Sequence, residues 1–356
     1  MWQREFQRRF GNVAAPFIER GLHRASWILP RIVASCYPYS AFPMTRGWAE
    51  KQRLGDLPGY ARAEGSDLAQ FASFDEEAQM LIEGGETAKV RPAENSRWFA
   101  QAAAEVAADI AEAERQIGSH RNKEFDSTVT DLKILANLAL FHSRRIPAAV
   151  NYRLFERTKD PHALAVAIAD EQNAVDAWRQ MVVAAGDFYA DDLMMGVRSA
   201  DLCGHWRDEL AALEKDVARL QQQQSDLVPR AAARPAPLFK ASPGNTNLFS
   251  IQVTHQPVLS APVDQPLTVV AEVRAATGVK WVRLRYRSVN QREDYKMVPM
   301  IPTGQGDQYK GVIPAQDIRH TWDLMYFIEV LDQQGNGRIH PDLNAETPYI
   351  VVRLQR

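Results

Sequence analysis

Apolar positions along the chain follow two periods, and the change between them divides the sequence. Within the stretch from Phe125 to Arg157, apolar side chains cover almost every face of a helical pattern from Leu132 to Phe141, which a surface helix would not tolerate. This stretch predicts the buried helix of an α-helical domain. Apolar residues also recur at helical spacing in residues 2–33, 66–83, 95–118, 161–182 and 204–223, which predicts helices there as well.

Capping and helix-breaking residues predict where the long helix begins and ends. Residues 126–128, Asp-Ser-Thr, offer candidate N-caps, and Pro147 is expected to kink the helix because proline removes one backbone hydrogen bond. Lys159 and Asp160 are expected to break the chain, and Pro161 suits the first turn of the next helix.

The period becomes two in the C-terminal third. Residues 225–247 are rich in Pro, Ala and Gly without a period, which is typical of an inter-domain linker. Seven short β-rich runs with turn signals between them follow, and they predict an antiparallel β-sandwich of the fibronectin type III or immunoglobulin-like kind. Trp322 and Tyr326 are assigned to its core. The expected domains are therefore a helical bundle at 1–224, with an irregular loop at 36–65, and a sandwich at 248–356.

Charge and composition exclude several classes of protein. The 356 residues include 42 basic and 44 acidic side chains, and the basic ones are scattered, so a nucleic-acid partner is not expected. Apolar runs fall short of the ~20 residues of a membrane span. No signal peptide is visible, which predicts a cytoplasmic chain, or a periplasmic or secreted one if it is the tail of a longer protein. Cys36 and Cys203 are expected to be buried thiols rather than a disulfide or metal pair.

One segment gathers groups that suit acid–base chemistry. FYADDLMMGVRSADLCGHWRDEL brings Asp191, Asp192 and His205 close in sequence, and a carboxylate pair near a histidine can exchange protons or hold a cation. Tyr189, Trp206 and Arg207 in the same segment are candidate ligand-binding residues. A structural interpretation stays open, in which the aspartates cap a helical turn and His205 hydrogen-bonds Asp208 at the surface. No spacing matches a metal or cofactor motif, so neither is expected.

The irregular loop offers a second candidate surface. Tyr37, Tyr39 and Trp48 present flat apolar faces, and Arg46 and Glu50 present hydrogen-bonding groups, a mixture suited to sugars. In the alternative interpretation these aromatics pack the loop onto the helices. Arg144, Arg145 and Arg153 are a weaker candidate for an anion site, with pairing to neighbouring carboxylates as the alternative.

A family resemblance rests on several of these segments. ASWILPRIVASCYPYSAFPMTRGWAEKQRL, LKILANLALFHSRRIPAAVNYRLFERTKDP, and AWRQMVVAAGDFYADDLMMG followed by GHWRDEL resemble the C-terminal helical region of large bacterial carbohydrate-active proteins of the glycoside hydrolase kind. YKMVPM, YKGVIPA, DLMYFIEVLDQQGNG and ETPYIVV resemble their accessory fibronectin-like domains. Such enzymes often hold paired carboxylates on a (β/α)₈ barrel, and no barrel pattern occurs in this sequence. The resemblance therefore transfers no catalytic residue.

Three functions follow as hypotheses. In the first, the chain is a non-catalytic accessory module of a polysaccharide-processing protein, which contacts an oligosaccharide or polysaccharide or supports an upstream catalytic domain. The second is a helical-repeat scaffold for protein partners, although no second copy of a repeat is found at a fixed period. The third is a stand-alone hydrolase that uses Asp191, Asp192 and His205, whose side chains would then converge in one pocket.

Overall fold

The computed structural model describes residues 2–36, 55–194, 203–227, 235–240, 251–290, 292–345 and 347–355. The chain divides into two compact units, Met1–Gly85 with Arg91–Pro243, and Glu86–Val90 with Gly244–Arg356. The domain boundaries at 224 and 247 stay predictions. The first unit is helical and the second is a β-sheet, as the change of period indicates.

Helices α1 to α8 form the first unit. They are α1 Trp2–Ala25, α2 Ile28–Ser35, α3 Leu57–Ala61, α4 Phe74–Glu83, α5 Pro92–Gln116, α6 Lys123–Thr158, α7 Pro161–Ala185 and α8 Trp206–Ser225. Helix α1 is broken at Gly11, whose φ of 73° favours glycine. A Cβ at that position would lie 2.7 Å from Cδ2 of His120, so a larger residue would also clash.

Helix α6 is the buried helix that the apolar pattern predicts. It is one helix from Lys123 to Thr158 that includes Pro147, and the kink at Pro147 stays a prediction. The helix contributes Leu138, Phe141 and Ile146 to the core, each with no exposed surface. Its N-cap is Asn122, whose Oδ1 accepts from Phe125 N at 2.9 Å. The caps proposed at residues 126–128 are therefore wrong, since an amide four residues earlier already serves that purpose.

The break between α6 and α7 has the expected chemistry. Lys159 adopts a left-handed conformation, with φ 59°, and ends α6. Asp160 caps α7 by accepting from His162 N at 2.9 Å, and Pro161 occupies the first turn. A left-handed residue followed directly by a cap and a proline gives a tight reversal, so α6 and α7 pack together along their lengths.

Strands β1 to β11 range from two residues in β1 to ten in β6. They are β1 Leu193–Met194 and β2 Cys203–Gly204 in the helical unit, then β3 Ile251–His255, β4 Ser260–Pro262, β5 Leu267–Ala275, β6 Val279–Ser288, β7 Lys296–Pro302, β8 Gln308–Ile313, β9 Leu324–Asp332, β10 Gly337–His340 and β11 Ile350–Gln355. The order in the second unit is β3-β5-β8-β7-β6-β9-β11-β4, with β10 on β9.

The sheet of the second unit is mixed, which corrects the expected antiparallel sandwich. Strand β4 runs parallel to β11, with Arg353 opposite Ser260, while the other pairs are antiparallel. The core faces of β3, β5, β6, β9 and β11 share one apolar cluster, so the sheet curls around a single core. Tyr326 lies in that core. The assignment of Trp322 is wrong, because it precedes β9 and is half exposed.

Leu138 and Leu135 test which face of α6 is buried. Leu138 has no exposed surface, while Leu135 is partly buried against the same core. We expect Leu138→Ala to lower the free energy of unfolding by about 2–5 kcal/mol, because a buried cavity adds to the lost transfer energy. Leu135→Ala should cost clearly less. Urea unfolding followed by far-UV circular dichroism measures both, and equal losses would contradict the placement of α6.

Candidate functional site

The end of α7 and the start of α8 meet in a compact surface region, which we call the α7–α8 turn, residues 187–194 and 203–208. After α7 the chain turns at Gly186, and β1 pairs with β2 so that Met194 lies opposite Cys203. This two-strand pairing brings both halves of the candidate segment together. The candidate side chains before and after the pairing therefore lie in one region of the structure.

His205 is the N-cap of α8. Its Nδ1 accepts from Arg207 N at 3.2 Å, and its own backbone N donates to Asp208 Oδ2 at 2.8 Å, which completes a capping box. The imidazole is buried, and burial and the nearby Arg207 cation lower its pKa. Because Nδ1 is an acceptor, the neutral ring carries its proton on Nε2, an atom with no hydrogen-bond partner within the described structure.

Arg207 links two of the sequence candidates. Its Nη2 donates to Asp191 Oδ1 at 2.7 Å and lies 3.9 Å from Asp187, while its Nε lies 3.3 Å from His205 Nδ1. The Asp191 side chain is 81% exposed, and Asp192 is exposed beside it. Asp191 and His205 therefore both contact Arg207, one from solvent and one from the buried side.

Tyr189 and Trp206 form the apolar base of the turn. Their rings meet edge to face, with centroids 5.4 Å apart, and Tyr189 Oη donates to Asp131 on α6. Burial and the Asp131 carboxylate raise the Tyr189 pKa. Trp206 is buried in the helical core, and its carbonyl accepts from Trp178 Nε1 at 2.9 Å. Trp206 thus connects the α7–α8 turn to the helical core through its contact with Tyr189.

Phe188 was missed in the sequence. Its ring lies 5.6 Å from that of Tyr189, and the residue is 43% exposed. Met194 on β1 is 66% exposed. The sequence feature that could have indicated Phe188 is its position between the acidic residues of GDFYADD, which favour a solvent-exposed segment. The aromatic surface at this turn therefore consists of the exposed Phe188 ring packed on the partly buried Tyr189 ring.

The second candidate surface, on the irregular loop, falls outside the part of the chain that the structure describes. This holds for all of its residues, Tyr37, Tyr39, Arg46, Trp48 and Glu50. The residues on either side of that segment, Cys36 and Gly55, belong to the described part.

Cys36 belongs to a buried polar centre, which is formed by Cys36, Tyr60, His142, Arg145 and Glu171. The backbone carbonyl of Gly55 contacts this centre. Arg145 Nη2 donates to the Gly55 carbonyl at 3.0 Å and lies 2.9 Å from Glu171 Oε1, with both side chains fully buried. His142 Nδ1 lies 3.2 Å from Tyr60 Oη and 3.9 Å from Cys36 Sγ. Arg145 is thus a partner in an ion pair, as the alternative to an anion site predicts, and Arg153 likewise pairs with Asp75.

Burial determines the charge state of this centre. It lowers the His142 pKa to about 3, with help from the Arg145 cation, and raises the Cys36 pKa to about 11. The imidazole and the thiol are therefore both neutral near pH 7. Cys36 and Cys203 are buried and form no disulfide, as expected.

Two further properties of the described residues bear on function. They contain no group of three or more His, Cys, Asp or Glu side chains that could hold a metal ion. Among their helices, none combines the length and the apolar character needed to cross a membrane.

Comparisons with known proteins give a distant structural likeness and no family. A scan against protein families gives no match, and neither does a search of curated proteins. Among solved structures the chain is similar to a GH138 enzyme targeting pectin rhamnogalacturonan II, at 12% sequence identity and a TM-score of 0.47. The match covers 63% of this chain and 34% of that one, so this chain spans about a third of its length.

The buried centre predicts a specific pH dependence of stability. Because the His142 pKa is about 3 in the folded chain and 6.5 in its unperturbed state, only the unfolded chain takes up this proton between those values. Stability should fall as the pH drops from about 6.5 toward 3, by at most about 1.4 kcal/mol per pH unit. His142→Gln should remove this contribution.

The measurement is urea unfolding of both proteins at pH 7, 6 and 5, analysed as the difference between them. Asp170, whose pKa burial raises to about 6, acts with the opposite sign in the same range, and the difference between the proteins cancels it. A difference in unfolding free energy that stays constant with pH would show that His142 does not titrate as described.

Proposed function

We propose that this chain is a non-catalytic accessory part of a polysaccharide-processing protein, and that it contacts glycan through the α7–α8 turn. The observation that carries the proposal is that an exposed ring, Phe188, belongs to the same turn as an exposed and hydrogen-bonded Arg207–Asp191 pair. Sugars offer apolar ring faces and many hydroxyl groups, so aromatic faces next to fixed donors and acceptors suit them.

The support beneath the turn favours binding. Tyr189 is held by Trp206 and by Asp131, so the surface is preorganised and loses little conformational freedom when a ligand binds. The resemblance of GDFYADDLMMG and GHWRDEL to glycoside hydrolase-associated regions points in the same direction. The second unit, a mixed and curled β-sheet, belongs to the same proposal as the accessory module of that protein.

The hydrolase hypothesis has less support. A general acid or base must reach a substrate proton, but the His205 ring is buried and its Nδ1 is engaged as a helix cap. Asp191 is exposed to water and bound by Arg207. A sequestered carboxylate pair of the kind that glycosidases use is not formed by these residues.

The scaffold hypothesis is also less favoured. Tetratricopeptide-like repeats place two short helices in about 34 residues. Helices α5, α6 and α7 have 25, 36 and 25 residues, so each is too long for that unit.

The test is binding of neutral plant and algal oligosaccharides to the full chain, measured by calorimetry. We expect Phe188→Ala and Arg207→Ala each to weaken binding about tenfold, as for central contact residues. Two matched controls come from α7. Val183→Ala removes an apolar side chain that is 76% exposed, and Arg179→Ala removes an exposed arginine paired with Asp176 and Glu214.

Three results would contradict the proposal. One is the absence of binding across the panel. Another is equal loss in the control variants, which would indicate a nonspecific effect. The third is loss of binding in Trp48→Ala with none in Phe188→Ala, which would assign the contact to the loop at residues 36–65.

A further inference from the structure

The outward face of β6 carries three arginines, Arg283, Arg285 and Arg287, which we call the arginine row. Val282, Leu284 and Tyr286 alternate with them and are buried in the core of the second unit. Side chains two residues apart on a strand share a face and lie about 7 Å from each other. The arginines are partly exposed, so three cationic groups follow one another along one surface.

Only one of these charges is matched by a carboxylate within the described residues. Arg285 Nε lies 2.9 Å from Glu329 Oε2 on the neighbouring strand β9. Glu329 is directly opposite Arg283 in the register of β6 and β9, but its carboxylate pairs with Arg285. Within the described part of the chain, neither Arg283 nor Arg287 forms an ion pair. Neighbouring like charges repel each other, so the row carries an unfavourable net positive charge that a bound anion would relieve.

Aromatic rings hold the two unmatched guanidinium groups in place. Arg283 Cζ lies 4.0 Å from the ring centroid of Trp281, and Arg287 Cζ lies 4.6 Å from that of Tyr295. Arg287 Nη1 also donates to the Glu293 carbonyl at 3.0 Å, while its Nε is buried without a partner among the described groups. Stacking fixes the guanidinium plane and leaves N–H groups at its edge available for an oxyanion.

We infer that the arginine row is a binding surface for an anionic polysaccharide, whose regularly spaced carboxylate or sulfate groups pair with Arg283 and Arg287. Guanidinium forks match both oxyanions. A nucleic-acid strand fits less well, because a guanidinium group already occupies one face of Trp281 and one face of Tyr295, which leaves less aromatic surface for bases to stack on. This surface lies in the second unit and does not depend on the α7–α8 turn.

The test uses the full chain and three polymers with one backbone: dextran, carboxymethyl dextran and dextran sulfate. We expect no binding to dextran and salt-sensitive binding to at least one charged form, since screening weakens exposed ion pairs. The charged form that binds more tightly identifies carboxylate or sulfate as the ligand. Duplex and single-stranded DNA form a fourth arm, and tighter binding to DNA than to either charged dextran would overturn the inference.

Variants locate the surface. Arg283→Gln should weaken binding of the charged polymer about fivefold, and the double variant Arg283→Gln with Arg287→Gln about 25-fold if the two act independently. Arg274→Gln on β5 is the control, since Arg274 is an exposed arginine paired with Asp307, and its binding should be unchanged. If the double variant unfolds at a lower temperature, the single Arg283→Gln variant decides.

Wild-type protein that binds neither charged dextran would overturn the inference. So would an Arg283→Gln variant that binds as tightly as the wild type. Phe188→Ala and Arg207→Ala should retain full binding of the charged polymer. Failure of the proposed glycan contact at the α7–α8 turn and failure of the arginine row therefore give different results.

Discussion

The buried pair Arg145–Glu171 is the constraint on which the helical unit depends. Neither side chain has exposed surface, and an arginine cannot shed its charge inside a protein. Desolvating such a pair is costly unless its hydrogen bonds are completed. Glu171 on α7 and the Gly55 carbonyl accept hydrogen bonds from the guanidinium, and Tyr60 and Phe141 cover its faces. The pair therefore sets how α6 and α7 align and where the chain returns at Gly55.

A continuous line of contacts runs from this pair to the α7–α8 turn. Arg145 stacks on Phe141, whose ring lies 4.9 Å from that of Trp178. Trp178 donates to the carbonyl of Trp206, and the Trp206 ring supports Tyr189. Every step before Tyr189 joins buried groups, and Tyr189 itself is partly buried. Close-packed interiors shift little. The exposed residues of the α7–α8 turn thus pack on the same helical core that contains the Arg145–Glu171 pair.

Sequence patterns predict the parts of this structure that local chemistry determines. The reversal at Lys159, Asp160 and Pro161 depends on backbone preferences of adjacent residues, and the structure has it as expected. The parallel pairing of β4 with β11 joins strands far apart in sequence, and no local period encodes it. The sequence did not predict His205 as a helix cap for a different reason. Histidine is not among the usual N-cap residues, so the pattern indicated acid–base chemistry there instead of a cap.

Arginine stacked on an aromatic ring occurs in both units, and its consequence depends on the carboxylate beside it. Arg145 stacks on Tyr60 and is neutralised by Glu171 in the core, so its hydrogen-bonding capacity is used within the fold. Arg283 stacks on Trp281 at the surface without such a partner among the described residues. A guanidinium that is fixed in orientation, partly exposed and unneutralised retains its capacity for a ligand. The same interaction therefore stabilises the helical core in one case and leaves a surface ready for an anion in the other.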